Sequence, residues 1–240
     1  MESLDLDGLY QQLGWYGKLP AAGDFVHRRI DSGRIQFWHQ WIEQSLLPYK
    51  QAVNEAHCYP TAPVWNFVLP ASLLEGGAFM QMGCLAPSLD RVGRIYPLVI
   101  TLQIPTQCYQ KTLLQGAARY FQQMGRLAYQ AIQQRYSVPQ FDAFLVELAP
   151  CMTAMLHQPL VNGESDGAIL SILNAGHERP PLMQLEEDPL AWPELVDCFH
   201  PQTMHSYWWT NQATGAAHRA VVHGGRLTPL LFQRLFGVRS

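Results

Sequence analysis

Three short apolar segments in close succession constrain the fold more than any other feature of this sequence. Residues 64–69, 79–85 and 98–104 have the length and apolar character of buried strands. A turn containing Gly76 and Gly77 joins the first two, and the turn-like residues 86–93 precede the third. Strands in a run, followed by helices and then by further strands, are typical of a largely antiparallel sheet covered by helices.

Helical spacing of apolar residues appears before and after this run. From Ile35 onward the spacing predicts a helix with Asp31 or Ser32 as its N-cap, and Pro48 is expected to kink or divide it. An apolar stripe from Leu113 to Ala131, with glutamines on its outer face, predicts the longest regular element of the chain. A shorter helix is expected over residues 141–149, ended by Pro150.

The remaining segments complete a fold of the α/β class. We expect a single domain with a mixed, largely antiparallel central sheet flanked by helices on both faces. Residues 1–13 are interpreted as an N-terminal lead-in and residues 14–240 as the domain. The other predicted elements are strands at 14–19, 168–173, 206–210 and 220–223, a turn at 20–24, a loop at 162–167, a helical turn at 193–198 within irregular residues 178–204, and a closing helix at 229–236.

Composition excludes several classes of protein. The charged fraction is 15%, below the roughly 25% of ordinary soluble domains, and the net charge is -3, so a nucleic-acid-binding protein is not expected. The sequence has no apolar run long enough for a membrane span, and its first residues are acidic where a signal peptide would be basic. Its five cysteines are scattered and odd in number, which is typical of reduced thiols in the cytoplasm.

No cofactor or metal site is expected from the sequence. The Gly-Lys pair in residues 14–18 lacks the spacing of a phosphate-binding loop, and Leu19 stands where Ser or Thr would hold magnesium. The nine histidines form no paired cluster at metal-ligand spacing. Cys84 lies in an apolar segment, so a buried, inert thiol is the better interpretation than a nucleophile.

One motif nevertheless supports an alternative function. Residues 163–167 form a G-x-S-x-G sequence, and a serine hydrolase of the esterase type centred on Ser165 would find candidate partners further along the chain. These partners are Asp188 or Asp197 and His218 or His223. However, the loop leads into a strand-like segment instead of a helix, so an exposed turn is the better interpretation.

Two short segments concentrate the charge of this ion-poor chain. Lys18, Arg28, Arg29, Arg34, Arg91 and Arg94 are six of the sixteen basic residues, and they share glycine-punctuated turns with Asp24, Asp31 and Asp90. These charges either pair with one another inside the fold or form a polar patch for a partner, since the forked donors of arginine suit carboxylate and phosphate. Both interpretations remain open, as does a small-anion sensor.

The same segments carry a resemblance to a known family. Residues 14–29 read G-W-Y-G-K-L-P-x-x-G-D-F-V-x-R-R, and residues 87–98 read P-S-x-D-R-x-G-R-x-Y-P-L. Together with P-x-W-x-F at 63–67 and S-Y-W-W-T at 206–210, this order resembles the TagF (ImpM) family of type VI secretion accessory proteins. Tyr96 replaces the phenylalanine usual in that family.

The resemblance implies an α/β fold and a non-enzymatic, cytoplasmic repressor. Such proteins restrain type VI secretion after translation and are linked to its forkhead-associated scaffold protein, with no nucleic acid and no membrane insertion. The partner-binding residues that the resemblance implies are Lys18, Asp24, Arg28, Ser88, Asp90, Arg91 and Arg94. The residues expected to serve the motif's structure are Gly17, Pro20, Gly23, Phe25, Trp65, Pro87, Gly93, Pro97, Trp208 and Trp209.

Overall fold

One antiparallel sheet forms the centre of the protein in this computed structural model, which describes residues 5–52, 59–74, 76–156, 190–215 and 217–237. Within these residues the sheet has seven strands in the order β2-β1-β5-β4-β3-β6-β7, and every neighbouring pair is antiparallel. The strands are β1 (Leu13–Gly17), β2 (Val26–Arg28), β3 (Trp65–Leu69), β4 (Phe79–Ala86), β5 (Leu98–Pro105), β6 (His205–Thr210) and β7 (Ala220–Gly224). The predicted α/β class is therefore confirmed.

Six of these strands coincide with strand-like segments of the sequence to within one or two residues. The exception is β2, for which the sequence predicted no element. It is three residues long, half-exposed and at the edge of the sheet, so it shows no apolar run. The strand predicted at 168–173 and the loop at 162–167 lie outside the described residues.

The helices cover both faces of the sheet, as predicted. They are α1 (Leu6–Gln12), α2 (Ser32–Ala52), α3 (Lys111–Gln115), α4 (Ala118–Gln133), α5 (Val138–Glu147), α6 (Thr153–Leu156), α7 (Leu195–Cys198) and α8 (Pro229–Phe236). Short 3-10 turns lie at Tyr59–Thr61, Ala71–Leu73, Thr106–Cys108, Ala149–Met152 and Gln212–Thr214. No helix in the described ranges combines the length and hydropathy that crossing a lipid bilayer requires.

The structure differs from two helix predictions in detail. α2 continues through Pro48 for 21 residues, so the proline does not divide it, and Leu46 and Tyr49 on either side are packed in the core. The stripe from 113 to 131 is not the longest element, since it is split into α3 and α4. The split follows Gly116, which caps the end of α3 with its N–H group.

The sheet separates two cores. On one face, Trp15, Met82 and Trp209 pack with α1 and with α3 to α7, and on the other, Phe67 and Trp208 pack with α2 and α8. Trp208 and Trp209 are adjacent in β6 and therefore point to opposite faces, and both are fully buried.

The segment interpreted as a lead-in contains a helix. Asp5 caps α1 by accepting a hydrogen bond from the backbone N–H of Gly8 at 2.7 Å. Leu9 of this helix is fully buried in the same core as Trp15. Residues 5–13 thus belong to the packed structure that begins with β1.

Candidate functional site

The two charged segments meet at one buried carboxylate. The first signature loop, residues 18–25, joins β1 to β2, and the second signature loop, residues 87–97, joins β4 to β5. Asp90 of the second loop has a fully buried side chain that accepts from Lys18 Nζ at 3.0 Å and from Arg94 Nε at 2.6 Å. Its other oxygen accepts from the backbone N–H groups of Val92 at 3.0 Å and Arg94 at 2.9 Å. One carboxylate therefore organises both loops.

Further hydrogen bonds connect the loops directly. Ser88 Oγ donates to the Lys18 carbonyl at 2.7 Å, and the Arg91 backbone N–H donates to the Ala22 carbonyl at 2.8 Å. Arg94 Nη2 donates to the Gly23 carbonyl at 2.8 Å. Because these bonds join positions about 70 residues apart in sequence, the two loops form a single surface.

The carboxyl group of Asp90 is held in its ionised form. Burial opposes ionisation, but the hydrogen bond from Lys18 and those from the backbone and side chain of Arg94 outweigh it. As a result, the pKa of Asp90 lies well below its ordinary value. The charge of this residue is thus part of the folded structure at every pH near neutrality.

We expect this arrangement to make the protein sensitive to acid. The folded-state pKa of Asp90 is lower than its unfolded value of about 4, so its stabilisation is present above that value and is lost as the pH falls towards the folded-state pKa. Urea unfolding between about pH 3 and pH 6 should show a free energy of unfolding that declines below about pH 4. The decline should be shallower in Asp90→Asn, and an equally steep decline in that variant would contradict the assignment.

The structure divides the predicted partner-binding residues into two groups. Lys18, Ser88 and Asp90 are buried. Asp24, Arg28, Arg91 and Arg94 are exposed, and 61% of the Arg94 side chain remains accessible although it bonds to Asp90. The buried residues hold the loops together, and only the second group presents charge to solvent.

Apolar side chains lie among these exposed charges. Val92, between Arg91 and Arg94 in the second loop, is 69% exposed, and Phe25 of the first loop is 37% exposed. The Lys18 ammonium lies 5.0 Å from the centre of the Phe25 ring, so this ring also covers the buried ion pair. We call the exposed side chains of Phe25, Arg91, Val92 and Arg94 the signature surface. Arg28 is not part of it, because it pairs with Trp15 in the sheet and so lies on the opposite face from Phe25, which stacks on Tyr16.

Sequence reasoning missed a cluster of polar aromatic groups beneath Phe25. His39 of α2 lies with its Nδ1 2.9 Å from Tyr16 Oη and 3.2 Å from Tyr96 Oη, and the two hydroxyls are 3.2 Å apart. Burial raises the pKa of both tyrosines. Although Tyr16 and Tyr96 stand in the two signature motifs, nothing in the sequence spacing connects His39 to them.

The sequence also did not reveal a contact that joins Arg29, directly after β2, to α5. Arg29 donates two hydrogen bonds to Asp142, at 2.7 and 3.0 Å, and Trp15 Nε1 donates to the same carboxylate at 2.9 Å. Burial opposes ionisation of Asp142, but the Arg29 and Trp15 bonds outweigh it and lower its pKa. Arg29 therefore belongs to the interior contacts and not to the signature surface.

Several motif residues serve the geometry of the chain. Gly17 has a φ of 141°, and a Cβ there would overlap the Pro97 carbonyl oxygen, so only glycine fits where β1 meets the second loop. Gly93 has a φ of 88° at the exposed tip of that loop. Trp65 Nε1 donates to the Leu235 carbonyl at 2.8 Å, which fastens α8 to the sheet. Pro20, Pro87 and Pro97 are also buried.

A family model describes this part of the chain. The TagF N-terminal domain, type VI secretion system-associated, matches residues 14–148, which include both signature loops. The chain belongs to the TagF family. None of the curated proteins matches it.

The fold of this TagF-family chain is also found in a solved structure. It resembles the crystal structure of PA0076 from Pseudomonas aeruginosa PAO1 with a TM-score of 0.61 and 20% sequence identity. The similarity covers 95% of this chain and 96% of the other, so it extends beyond the family match to nearly the whole length.

The residues that this TagF-family structure describes give no support to the serine-hydrolase alternative. Ser165 and Asp188 lie outside the described residues. Asp197 pairs with Lys111 at 2.8 Å, and His223 Nε2 lies 2.8 Å from the Arg226 carbonyl oxygen. Cys84 is fully buried, and burial raises the pKa of its thiol. No group of three or more potential metal ligands occurs in the part of the chain that the structure describes.

Proposed function

We propose that this protein is a non-enzymatic, cytoplasmic accessory protein that represses assembly of the type VI secretion apparatus after translation. It would act by protein–protein contact with the forkhead-associated scaffold protein of that apparatus. Family membership supports the association with type VI secretion. The proposed contact with a partner rests on the signature surface, in which cations and apolar side chains alternate on loops that are hydrogen-bonded to each other.

The charge of this surface indicates what a partner should present. The chain as a whole has a net charge of -3, whereas the signature surface contains Arg91 and Arg94, with one exposed carboxylate, Asp24, in the adjoining loop. Arginine guanidinium groups bind carboxylates through paired hydrogen bonds, and Phe25 and Val92 supply apolar contact beside them. A complementary partner would therefore carry acidic side chains next to an apolar residue.

Charge reversal at Arg91 tests this proposal. In a bacterium with an active apparatus, overproduction of the protein should reduce secretion of the tube protein into the medium, and Arg91→Glu should relieve that repression. Arg91 is chosen because its side chain is exposed, whereas Arg94 also bonds to Asp90, so its substitution would disturb the loop structure as well as the surface charge. The measurement is the amount of secreted tube protein at matched expression levels.

A matched control separates the surface from general charge effects. Arg126 is an exposed arginine on α4, on the opposite face of the sheet from α2, and Arg126→Glu should still repress fully. Purified scaffold protein should be captured by the wild type and by Arg126→Glu, but about tenfold less by Arg91→Glu. Full repression and full capture by a folded Arg91→Glu would contradict the role of the signature surface.

A further inference from the structure

A polar cavity lies at the other end of the sheet from the signature loops. It encloses about 520 Å³, within the usual size range of small-ligand sites. Gln81 of β4 and Gln103 of β5, which are direct cross-strand partners, form its floor. The first half of α2 forms one wall, and Leu74 and Arg226 lie at turns that border it. Gln81 is near the start of β4, whereas the second signature loop follows its end.

Gln81 has a side-chain donor that forms no hydrogen bond with the described residues and borders the cavity. Only 1% of this residue is exposed, and its Oε1 accepts from Trp38 Nε1 at 3.1 Å and Thr101 Oγ1 at 3.0 Å. These bonds fix the orientation of the carboxamide, whose Nε2 has no acceptor among the described residues. Because this donor borders the cavity, an acceptor atom of a ligand can bond to it in place of water.

The cavity also has one cationic side chain without an ion-pair partner among the described residues. Arg34 is buried and donates to Asp31 Oδ2 at 2.6 Å and to the backbone carbonyls of Gln12 and Arg29, both at 3.1 Å. Asp31, the carboxylate that lines the cavity, is thereby paired. Arg226 is exposed at the rim, and its guanidinium group has no partner within the described ranges.

Because it has hydrogen-bond donors at its floor and a cation at its rim, the cavity favours a ligand that carries an anionic hydrogen-bond acceptor. The apolar side chains of Phe37, Trp41 and Leu227 line the same cavity and suit a short apolar chain. We propose that this cavity binds a ligand with a carboxylate attached to an apolar chain. The Gln81 amide donates to the carboxylate, and Arg226 supplies the compensating charge. The ligand is either a free carboxylic acid or the C-terminus of a protein chain, and the site is separate from the signature surface.

Three probes distinguish these sources by NMR titration of the full-length protein, monitored at the Gln81 side-chain amide and the Arg226 Nε–H group. They are 4-methylpentanoate, the peptide acetyl-Gly-Gly-Leu with a free carboxylate, and the same peptide with a C-terminal amide. We expect at least one carboxylate to shift both resonances and the amidated peptide to bind about tenfold more weakly or worse. Binding of 4-methylpentanoate indicates a free acid, and binding of the peptide acid alone indicates a chain terminus.

Matched variants test the two named groups. Gln81→Glu keeps the acceptor for Trp38 and Thr101 but removes the donor and places a negative charge against the ligand carboxylate, so it should abolish binding, whereas Gln115→Glu on the opposite face should not change it. Arg226→Gln changes an exposed side chain and should weaken binding about tenfold, with Arg126→Gln unchanged. The proposal is overturned if neither carboxylate shifts the resonances, if the amidated peptide binds equally well, or if Arg226→Gln binds with wild-type affinity.

Discussion

Replacement of Gly83 by alanine is expected to destabilise the protein by more than about 4 kcal/mol, a large part of the stability of a typical domain. Gly83 lies in the middle of β4, opposite Thr101 of β5. A Cβ at this position would overlap the backbone carbonyl oxygen of Ile100 and lie 3.0 Å from the Cα of Thr101. Since these are backbone atoms of the neighbouring central strand, no side-chain rotation can relieve the overlap.

The effect of Gly83→Ala can be compared with a harmless substitution of the same type. Gly224 is also a strand glycine, but it is in the edge strand β7, and a Cβ there would meet only the His205 ring, with Cδ2 at 3.6 Å and Nε2 at 3.7 Å. We expect Gly224→Ala to be neutral or slightly stabilising, because it restricts the unfolded chain. Soluble yield and thermal unfolding followed by circular dichroism measure both variants. A Gly83→Ala protein with a wild-type melting temperature would show that the strands are not so close.

Asp90→Asn is expected to cost about 3 kcal/mol of unfolding free energy. The amide cannot balance the charge of Lys18, which is only 6% exposed and has Asp90 as its ion-pair partner. It also presents donors where Asp90 accepts from Lys18 and Arg94. The variant therefore leaves a buried cation unpaired and loosens the contact between the two signature loops.

A second substitution identifies the source of this cost. Lys18→Met removes the unpaired cation, so the double variant with Asp90→Asn should be more stable than the sum of the single variants predicts. Asp24→Asn, in an exposed position of the same loop, should change stability by less than about 0.5 kcal/mol. Urea denaturation provides all four values. Simple additivity of the Lys18 and Asp90 substitutions would argue against their direct coupling.

Most of the sheet was predictable because its strands are buried. β3, β4 and β5 are apolar along nearly their whole length and are bounded by turn residues, so local patterns identify them. β2 has no such pattern, because its three residues are at the sheet edge and owe their conformation to pairing with β1. The division between α3 and α4 was hidden by an apolar stripe that continues across Gly116.

The candidate site was predictable only where its contacts are local. The pair of Asp90 with Arg94 spans four residues and follows from the motif itself, and Asp31 with Arg34 is similar. Lys18 and Asp90 are 72 residues apart, so their pairing depends on how β1 and β5 align in the sheet. The same is true of His39, which reaches Tyr16 and Tyr96 only because α2 packs across the sheet.

The bonds that join the two signature loops also determine the thermodynamics of any complex formed there. The backbone contacts of Ala22 and Gly23 with Arg91 and Arg94 fix the loops before a partner arrives. Binding to such a preorganised surface requires little loss of conformational entropy, so a modest contact area can suffice for a stable complex. Substitutions that loosen the loops from Asp90 should therefore weaken association even when every contacting side chain is retained.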